Sequence, residues 1–338
     1  MAKIVILGSG GWGIALAIIA NSNGNQVTLW TPFDEESEML NTTRESTKLL
    51  SGIKIPEEIK ITTDISVASG ADMVIIAVPS FAVEETARKL GKVGNIKLVV
   101  NVAKGLQKGS CERLSEVITR HIPTADFVVL SGPSHAEEVA RKEPTSLVAA
   151  SNSITAAEFV QRTMMCETLR IYTGDDVIGV ELGGAFKNII AVAAGICDGM
   201  GLGDNPKAAL MTRGLSEIAR LGVKLGARQE TFAGLTGLGD LIVTCTSTHS
   251  RNHRFGVLVG EGVPVEEALK RIGTVEGYHA ALLAAELAKK EGVEMPITMG
   301  VYSVLYEGYP VAELVKKLMT RPSKAEHEKS WLTNQSQK

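Results

Sequence analysis

A single lysine interrupts the stretch GGAFKNIIAVAAGIC at residues 183–197, where the nearest other charges are Glu181 and Asp198. An ammonium among so many apolar residues has two readings. Lys187 lays its stem on apolar surface and sends its head to water, or it is a desolvated amine whose lowered pKa suits proton transfer. Two further segments carry charge that could serve chemistry. Asp240 lies in GLGDL, where an aspartate caps a helix or holds a lysine in place. Arg251 and Asn252 lie in HSRNHRFG, which is a solvated basic turn or a phosphate clamp, since a guanidinium meets phosphate through two parallel hydrogen bonds. Arg254 keeps the solvated reading. Cys245, His249 and His253 share a four-residue spacing, but no H-E-x-x-H glutamate accompanies them, so no metal site is expected. No G-x-S-x-G elbow follows a strand, which disfavours a serine hydrolase.

The glycine turn GSGGWG supplies G-x-G-x-x-G at Gly8, Gly10 and Gly13. Such a turn needs glycine for the tight bend, for close approach of a pyrophosphate and for helix–strand packing. The helix that follows offers amides and a positive dipole end to phosphate. The motif means little alone in a chain with 34 glycines. Here it joins a strand-like run, KIVIL at 3–7, to a helical pattern from about Trp12 to Asn21, followed by the strand-like VTLW at 27–30. That is a complete βαβ unit, so dinucleotide binding is expected. After VTLW come Thr31, Pro32 and Phe33, with Asp34 arriving late for an acid that bonds a ribose hydroxyl. NAD and NADP both stay open, with NADPH slightly favoured.

The elements that must position these residues change character along the chain. Apolar runs at 72–78, 97–102, 126–131 and 145–150 alternate with helical patterns such as EETARKL and CERLSEVITR, and a weaker run, LRIYT at 169–173, closes the series. Strands alternating with helices imply an α/β Rossmann-like doubly wound sheet, mostly parallel. From about Val177 helical periodicity takes over, as in residues 207–226 and 279–292. The expected division is a dinucleotide-binding domain at 1–178 and an all-α C-terminal, substrate-binding domain at 179–338, with a polar, frayed tail from about 323.

Bulk properties narrow the function classes. With 338 residues, 44% apolar and 22% charged, the chain can fill two globular cores. A net charge of −3 gives no general attraction to nucleic acid or anionic lipid, so any phosphate must be held locally. The apolar run around Lys187 is short and contains a charge, so no membrane insertion is expected. Four cysteines without C-x-x-C pairing and the absence of a signal-peptide core suit a cytoplasmic protein.

With the glycine turn at the start and GGAFKN at the junction of the halves, the chain resembles the NAD(P)-dependent glycerol-3-phosphate dehydrogenases of the soluble bacterial type. The resemblance runs through GSGGWGIALA, IIAVPS, NVAKGL, LSGPSHAEEV, GVELGGAFKNIIAVAAGICDG, TGLGDLIVTCTSTHSRNHRFG, VEGYHA and MPIT. It implies reduction of dihydroxyacetone phosphate to sn-glycerol 3-phosphate for phospholipid synthesis, with Lys187 as proton donor. It also implies a homodimer; the apolar segment from His279 would then serve an interface or the core.

Carried over block by block, Gly11 and Trp12 match dinucleotide contacts beside Gly8, Gly10 and Gly13. Lys104 matches the lysine that reaches both substrate and cofactor. Gly132, Ser134 and Ala136 match a loop touching substrate and nicotinamide. Asp240, Thr244, Ser250, Arg251 and Asn252, with Asn188 beside the lysine, match the substrate pocket. Arg251 and Glu276 match cofactor contacts. Pro32 stands where the family often has a basic or polar side chain. Ser134, with Glu137 three residues on, also reads as a helix cap. Two rivals remain: a two-domain dehydrogenase of hydroxy acids, which also carries a lysine–asparagine pair, and a dinucleotide sensor that has lost catalysis.

Overall fold

The structure, a computed structural model, describes residues 1–323 and Glu326. The frayed tail expected beyond Pro322 falls almost wholly outside the described residues. Eight strands form one sheet: β1 Lys3–Leu7, β2 Gln26–Trp30, β3 Lys60–Thr62, β4 Met73–Ile76, β5 Leu98–Asn101, β6 Asp126–Ser131, β7 Thr145–Ala150 and β8 Leu169–Gly174. Their order is β3-β2-β1-β4-β5-β6-β7-β8. Every pairing is parallel except β6 with β7. The continuous apolar runs became strands covered on both faces; Ile4 to Leu7 are fully buried. Residues 60–62, KIT, form a short edge strand that the sequence reading passed over, because three residues give too little pattern to register.

Leu7 is level with both Trp30 and Ile76, so β1, β2 and β4 end on one edge of the sheet. Chain order reverses between β1 and β4, and in open α/β sheets that crevice receives ligands. The helix Gly11–Ser22 leaves from there and buries Gly13 through Ala20 against the sheet. Two apolar clusters hold the sheet, one centred on Ile6, Ile75 and Val100 and the other on Val5, Val74 and Val99.

Beyond β8 the chain is helical. A central helix, Val177–Gly199, is capped by Asp176, which accepts from Gly179 N at 2.9 Å. It is long and apolar enough to span a bilayer, yet almost every residue from Gly179 to Ile196 is buried inside the protein. Hydropathy here records a core helix. Around it pack Asp204–Lys224, Arg251–Gly260, Glu276–Glu291 and Pro296–Glu307, filling a third core about Phe186, Ile190 and Leu221.

Glycines bring two of these helices into backbone contact. A methyl at Gly195 would lie 2.0 Å from His253 O, one at Gly256 would lie 2.1 Å from Val192 O, and one at Gly199 2.2 Å from Val257 O. No side chain fits at that crossing. Gly256→Ala should therefore destabilise the protein by about 1–3 kcal/mol, read as a lower urea midpoint with an unchanged m-value.

Candidate active site

Lys187 lies inside the protein, only 5% exposed. Its Nζ donates to Asp240 Oδ1 and, at 2.5 Å, to Thr244 Oγ1. The snorkelling alternative is excluded. Asp240, 1% exposed, also accepts from Lys104 Nζ at 2.6 Å through Oδ2, and Lys104 donates to Gly132 O at 3.0 Å. One carboxylate thus stands between two ammonium groups. Lys104 follows β5 and Gly132 follows β6, so the pair comes from the carboxyl edge of the sheet, while Lys187 and Asp240 come from the helical lobe.

Local structure explains how Asp240 arrives there. Residues Leu235–Gly239 form a π-helical turn, closed by Gly239 N to Gly234 O at 3.1 Å, and Asp240 opens the helix Asp240–Thr246. Such turns are rare and collect at functional sites. Gly183 lets the turn lie against the central helix, since a methyl there would come 2.8 Å from Thr236 O. Asp240 therefore does not act as a helix cap.

Electrostatics follow from burial and from the count of charges. Burial pushes Lys187 down to about 8, against the pull of Asp240, and the Lys104 charge lowers it further. Burial alone would raise the Asp240 carboxyl, but Lys104 and Lys187 together outweigh it and hold it below its ordinary value. The cluster carries one net positive charge. Each ammonium has three N–H groups and meets two acceptors among the described residues, so each keeps a donor for a ligand.

Asn188 is held beside this cluster. Its Oδ1 accepts from Asn252 Nδ2 at 2.9 Å, and Asn252 Oδ1 accepts from Gly277 N at 2.8 Å. Ser250 caps the helix Arg251–Gly260, accepting from His253 N at 3.2 Å. Arg251 is exposed at the first residue of that helix, its first turn contains no acid, and its guanidinium makes no ion pair among the described residues. A helix start with an uncommitted arginine suits an anion. Arg254 is exposed, in keeping with its solvated reading.

The glycine turn fits a dinucleotide. Gly8 has φ +125°, and a methyl there would meet Ala77 O at 2.6 Å; one at Gly13 would meet Gly8 O at 2.0 Å. At Gly10, the N-cap of that helix, a methyl would meet nothing within 4 Å, so the fold itself does not require glycine there and the space is open to an approaching ligand. The first ladder bond runs from Ile14 N to Gly10 O at 3.0 Å, leaving the amides of Gly11, Trp12 and Gly13 without helical acceptors. A methyl on Gly11 would lie 3.5 Å from Ala136 Cβ, which brings Ala136 to the same helix start. Glu276, expected as a cofactor contact, accepts from Ser80 Oγ at 2.8 Å and reaches from the helical lobe to the loop after β4. Burial raises its carboxyl.

One expectation changes. Ser134 does not cap a helix: His135 takes that position for Ala136–Ala140 without a side-chain cap, and Ser134 Oγ donates to Gly132 O at 3.0 Å. Cys245, His249 and His253 do not converge: Cys245 is fully buried in the core, His253 pairs with Asp198 at 2.7 Å, and His249 faces the His135 ring at 5.7 Å. The sequence reading also missed His135 and Ser131. His135 Nε2 and Ser131 Oγ are buried without partners among the described residues. Burial lowers the His135 pKa, and the charge of Lys187 contributes to that shift. Their sequence signal was their place in LSGPSHAEEV, next to or near Gly132. A cavity of about 540 Å³ lies elsewhere in the helical lobe, beside Arg213 and Glu217, and is lined by none of these residues.

A glycine turn at the switch point of a doubly wound sheet, with two lysines and an aspartate joined between that sheet and a helical lobe, fits a two-lobed dinucleotide oxidoreductase. Residues 3–157 match the family described as NAD-dependent glycerol-3-phosphate dehydrogenase N-terminus, and residues 176–316 match its C-terminus. The chain is 52% identical to glycerol-3-phosphate dehydrogenase [NAD(P)+] of Thermoanaerobacter sp. over 96% of its length and 98% of that protein. It is 48% identical to the protein of that name from Bacillus subtilis, over 95% of each. A solved glycerol-3-phosphate dehydrogenase from Coxiella burnetii superposes with TM-score 0.90 at 38% identity, covering 95% of this chain and 99% of that one. The chain belongs to the NAD(P)-dependent glycerol-3-phosphate dehydrogenase family and is an oxidoreductase that uses NAD or NADP. A D-mandelate dehydrogenase, at 13% identity and TM-score 0.61, shares the fold alone.

Gly10 has φ −64°, which any residue adopts. Gly10→Ala should leave the unfolding free energy within about 0.5 kcal/mol and weaken NADH binding at least tenfold, as measured by fluorescence titration.

Proposed function

We propose that the enzyme reduces dihydroxyacetone phosphate to sn-glycerol 3-phosphate, reversibly, with Lys187 as general acid. The observation that carries the assignment is the Lys187–Asp240–Lys104 cluster, in which a buried ammonium and a half-buried one share one buried carboxylate. A bound reduced nicotinamide supplies the hydride that the substrate's C2 receives. As negative charge grows on the carbonyl oxygen, the cluster's net positive charge stabilises it. Lys187 Nζ then gives that oxygen its proton and becomes a neutral amine, and water restores the proton after product leaves. Asp240 and Thr244 fix the direction of the Lys187 donors, while Lys104, tied to Gly132, polarises and orients the carbonyl. Asp240 also accepts from a substrate hydroxyl. In oxidation of glycerol 3-phosphate, Lys187 starts neutral and removes the hydroxyl proton.

Arg251 and the amides at the start of its helix take the phosphate, with Ser250 ordering the turn and Asn252 tied to Asn188. Gly132 and Ser134 line the side of the loop nearest Lys104. Glu276, held by Ser80, would reach the cofactor ribose, and Arg251 would serve both ligands. This reading places the domain division near residue 178, between β8 and the catalytic residues of the central helix. It also carries a cytoplasmic homodimer and a role in supplying phospholipid synthesis. The two lysines paired on Asp240 favour an active enzyme over a dinucleotide sensor, and the arginine at a helix start favours a phosphorylated triose over a hydroxy acid.

In reduction Lys187 must begin protonated, so kcat/KM for dihydroxyacetone phosphate should fall as pH rises through about 8, and the oxidative kcat/KM should rise through the same range. Lys187→Met should lower the reductive kcat by about 10²–10⁴-fold, erase that pH limb and leave cofactor binding intact; near-normal turnover would remove the assignment. Arg251→Ala should raise KM for dihydroxyacetone phosphate steeply and change the weak turnover of unphosphorylated dihydroxyacetone little. Equal losses on the two substrates would argue against a phosphate contact.

A further inference from the structure

No acid stands on the turn immediately after β2, yet the fold brings one there. Glu36 lies in the first turn of the helix Asp34–Thr43. Its Oε2 accepts from Ser9 Oγ at 2.7 Å, inside the glycine turn, and from Thr31 Oγ1 at 2.5 Å, at the end of β2. Ser9 and Thr31 are both buried. Oε1 accepts from no donor among the described residues. A carboxylate is thus pinned between the glycine turn and the second strand, with one oxygen to spare.

The charges on the helix bearing Glu36 have one sign. Asp34, Glu35 and Glu38 share the helix with Glu36, and Asp64, beyond the end of β3, binds Ser66. No lysine or arginine occurs between Gln26 and Thr43. Arg44, at the far end of that helix, uses Nε and Nη2 on Glu57 Oε2 at 3.0 Å and on the carbonyls of Glu57 and Ile59, and its Nη1 is buried without a partner among the described residues. Lys54 pairs with Glu45 at 2.9 Å. Lys60 sits level with Thr28, back from the carboxyl edge. Lys48 is exposed and precedes Leu49, whose carbonyl approaches Gly11; it is the one cation here whose role needs a control.

An acid at the end of the second strand receives the ribose 2′-hydroxyl of NAD. A 2′-phosphate in that place brings about −1.5 to −2 charges at neutral pH against a fixed carboxylate. We infer that Glu36 is a specificity-determining residue that selects NAD(H) over NADP(H) by accepting the 2′-hydroxyl and repelling the 2′-phosphate. The inference rests on the family's cofactor use and deepens the function proposed above.

The test reads binding without substrate. Dissociation constants for NADH and NADPH are measured by quenching of tryptophan fluorescence in the full chain, in Glu36→Gln and in Lys48→Ala. The unaltered protein should bind NADH at least tenfold tighter than NADPH. Glu36→Gln keeps an amide oxygen for Ser9 and Thr31, and it should shrink that ratio at least fivefold, mainly by tightening NADPH. Lys48→Ala should leave the ratio unchanged. Tighter binding of NADPH by the unaltered protein overturns the inference. So does an unchanged ratio in Glu36→Gln, which is what a merely loosened turn gives, or selective loss of NADPH in Lys48→Ala. Absence of turnover with dihydroxyacetone phosphate, while the binding ratio holds, would instead sink the proposed reaction and leave Glu36's role standing.

Discussion

A single buried carboxylate between two ammonium groups sets the terms for the rest of this molecule. Asp240 takes Lys187 on one oxygen and Lys104 on the other. Without it two like charges would face one another out of water, an arrangement that costs far more in a protein interior than at a surface. With it, the cluster keeps one net positive charge and a Lys187 pKa near the range where protons move readily. The π-helical turn at Leu235–Gly239 serves that geometry by carrying Asp240 to the central helix, with Gly183 as the point of close approach.

Because the three charged residues come from both lobes, the lobes must be held in register. Glu181, on the central helix, accepts from Ser115 N at 2.7 Å and Ser115 Oγ at 2.5 Å, reaching the helix Leu114–His121 of the sheet lobe. Glu276 does the same to Ser80 near the groove. Within the helical lobe, the glycine crossing of the central helix with Arg251–Gly260 lets Asn188 and Asn252 meet. This steric device thereby fixes how the helix start at Arg251 stands relative to Lys187.

The sheet was legible wherever a strand is covered on both faces, because such strands read as unbroken apolar runs. Residues 126–131 and 145–150 kept their boundaries as β6 and β7. What the pattern did not carry was the antiparallel pairing of those two strands, or the three-residue β3, whose pairing is set by its neighbours rather than its own side chains. In the site, Lys187 stood out as a charge in an apolar run, but its two readings differ only in what lies opposite, and that is Asp240, far away in sequence. Ser134 shows the reverse case: its spacing to Glu137 fits a capping box, and the fold turned the hydroxyl to Gly132 instead.

The sequence by itself determined the order of strands and helices, the glycine turn and the residue types available for proton transfer and phosphate binding, because periodicity and local backbone requirements act over a few residues. Only the tertiary structure decided which charges meet. Lys104 with Asp240 and Glu36 with Ser9 are juxtapositions made by packing, and the energy of a buried charge depends on its neighbours in space rather than along the chain.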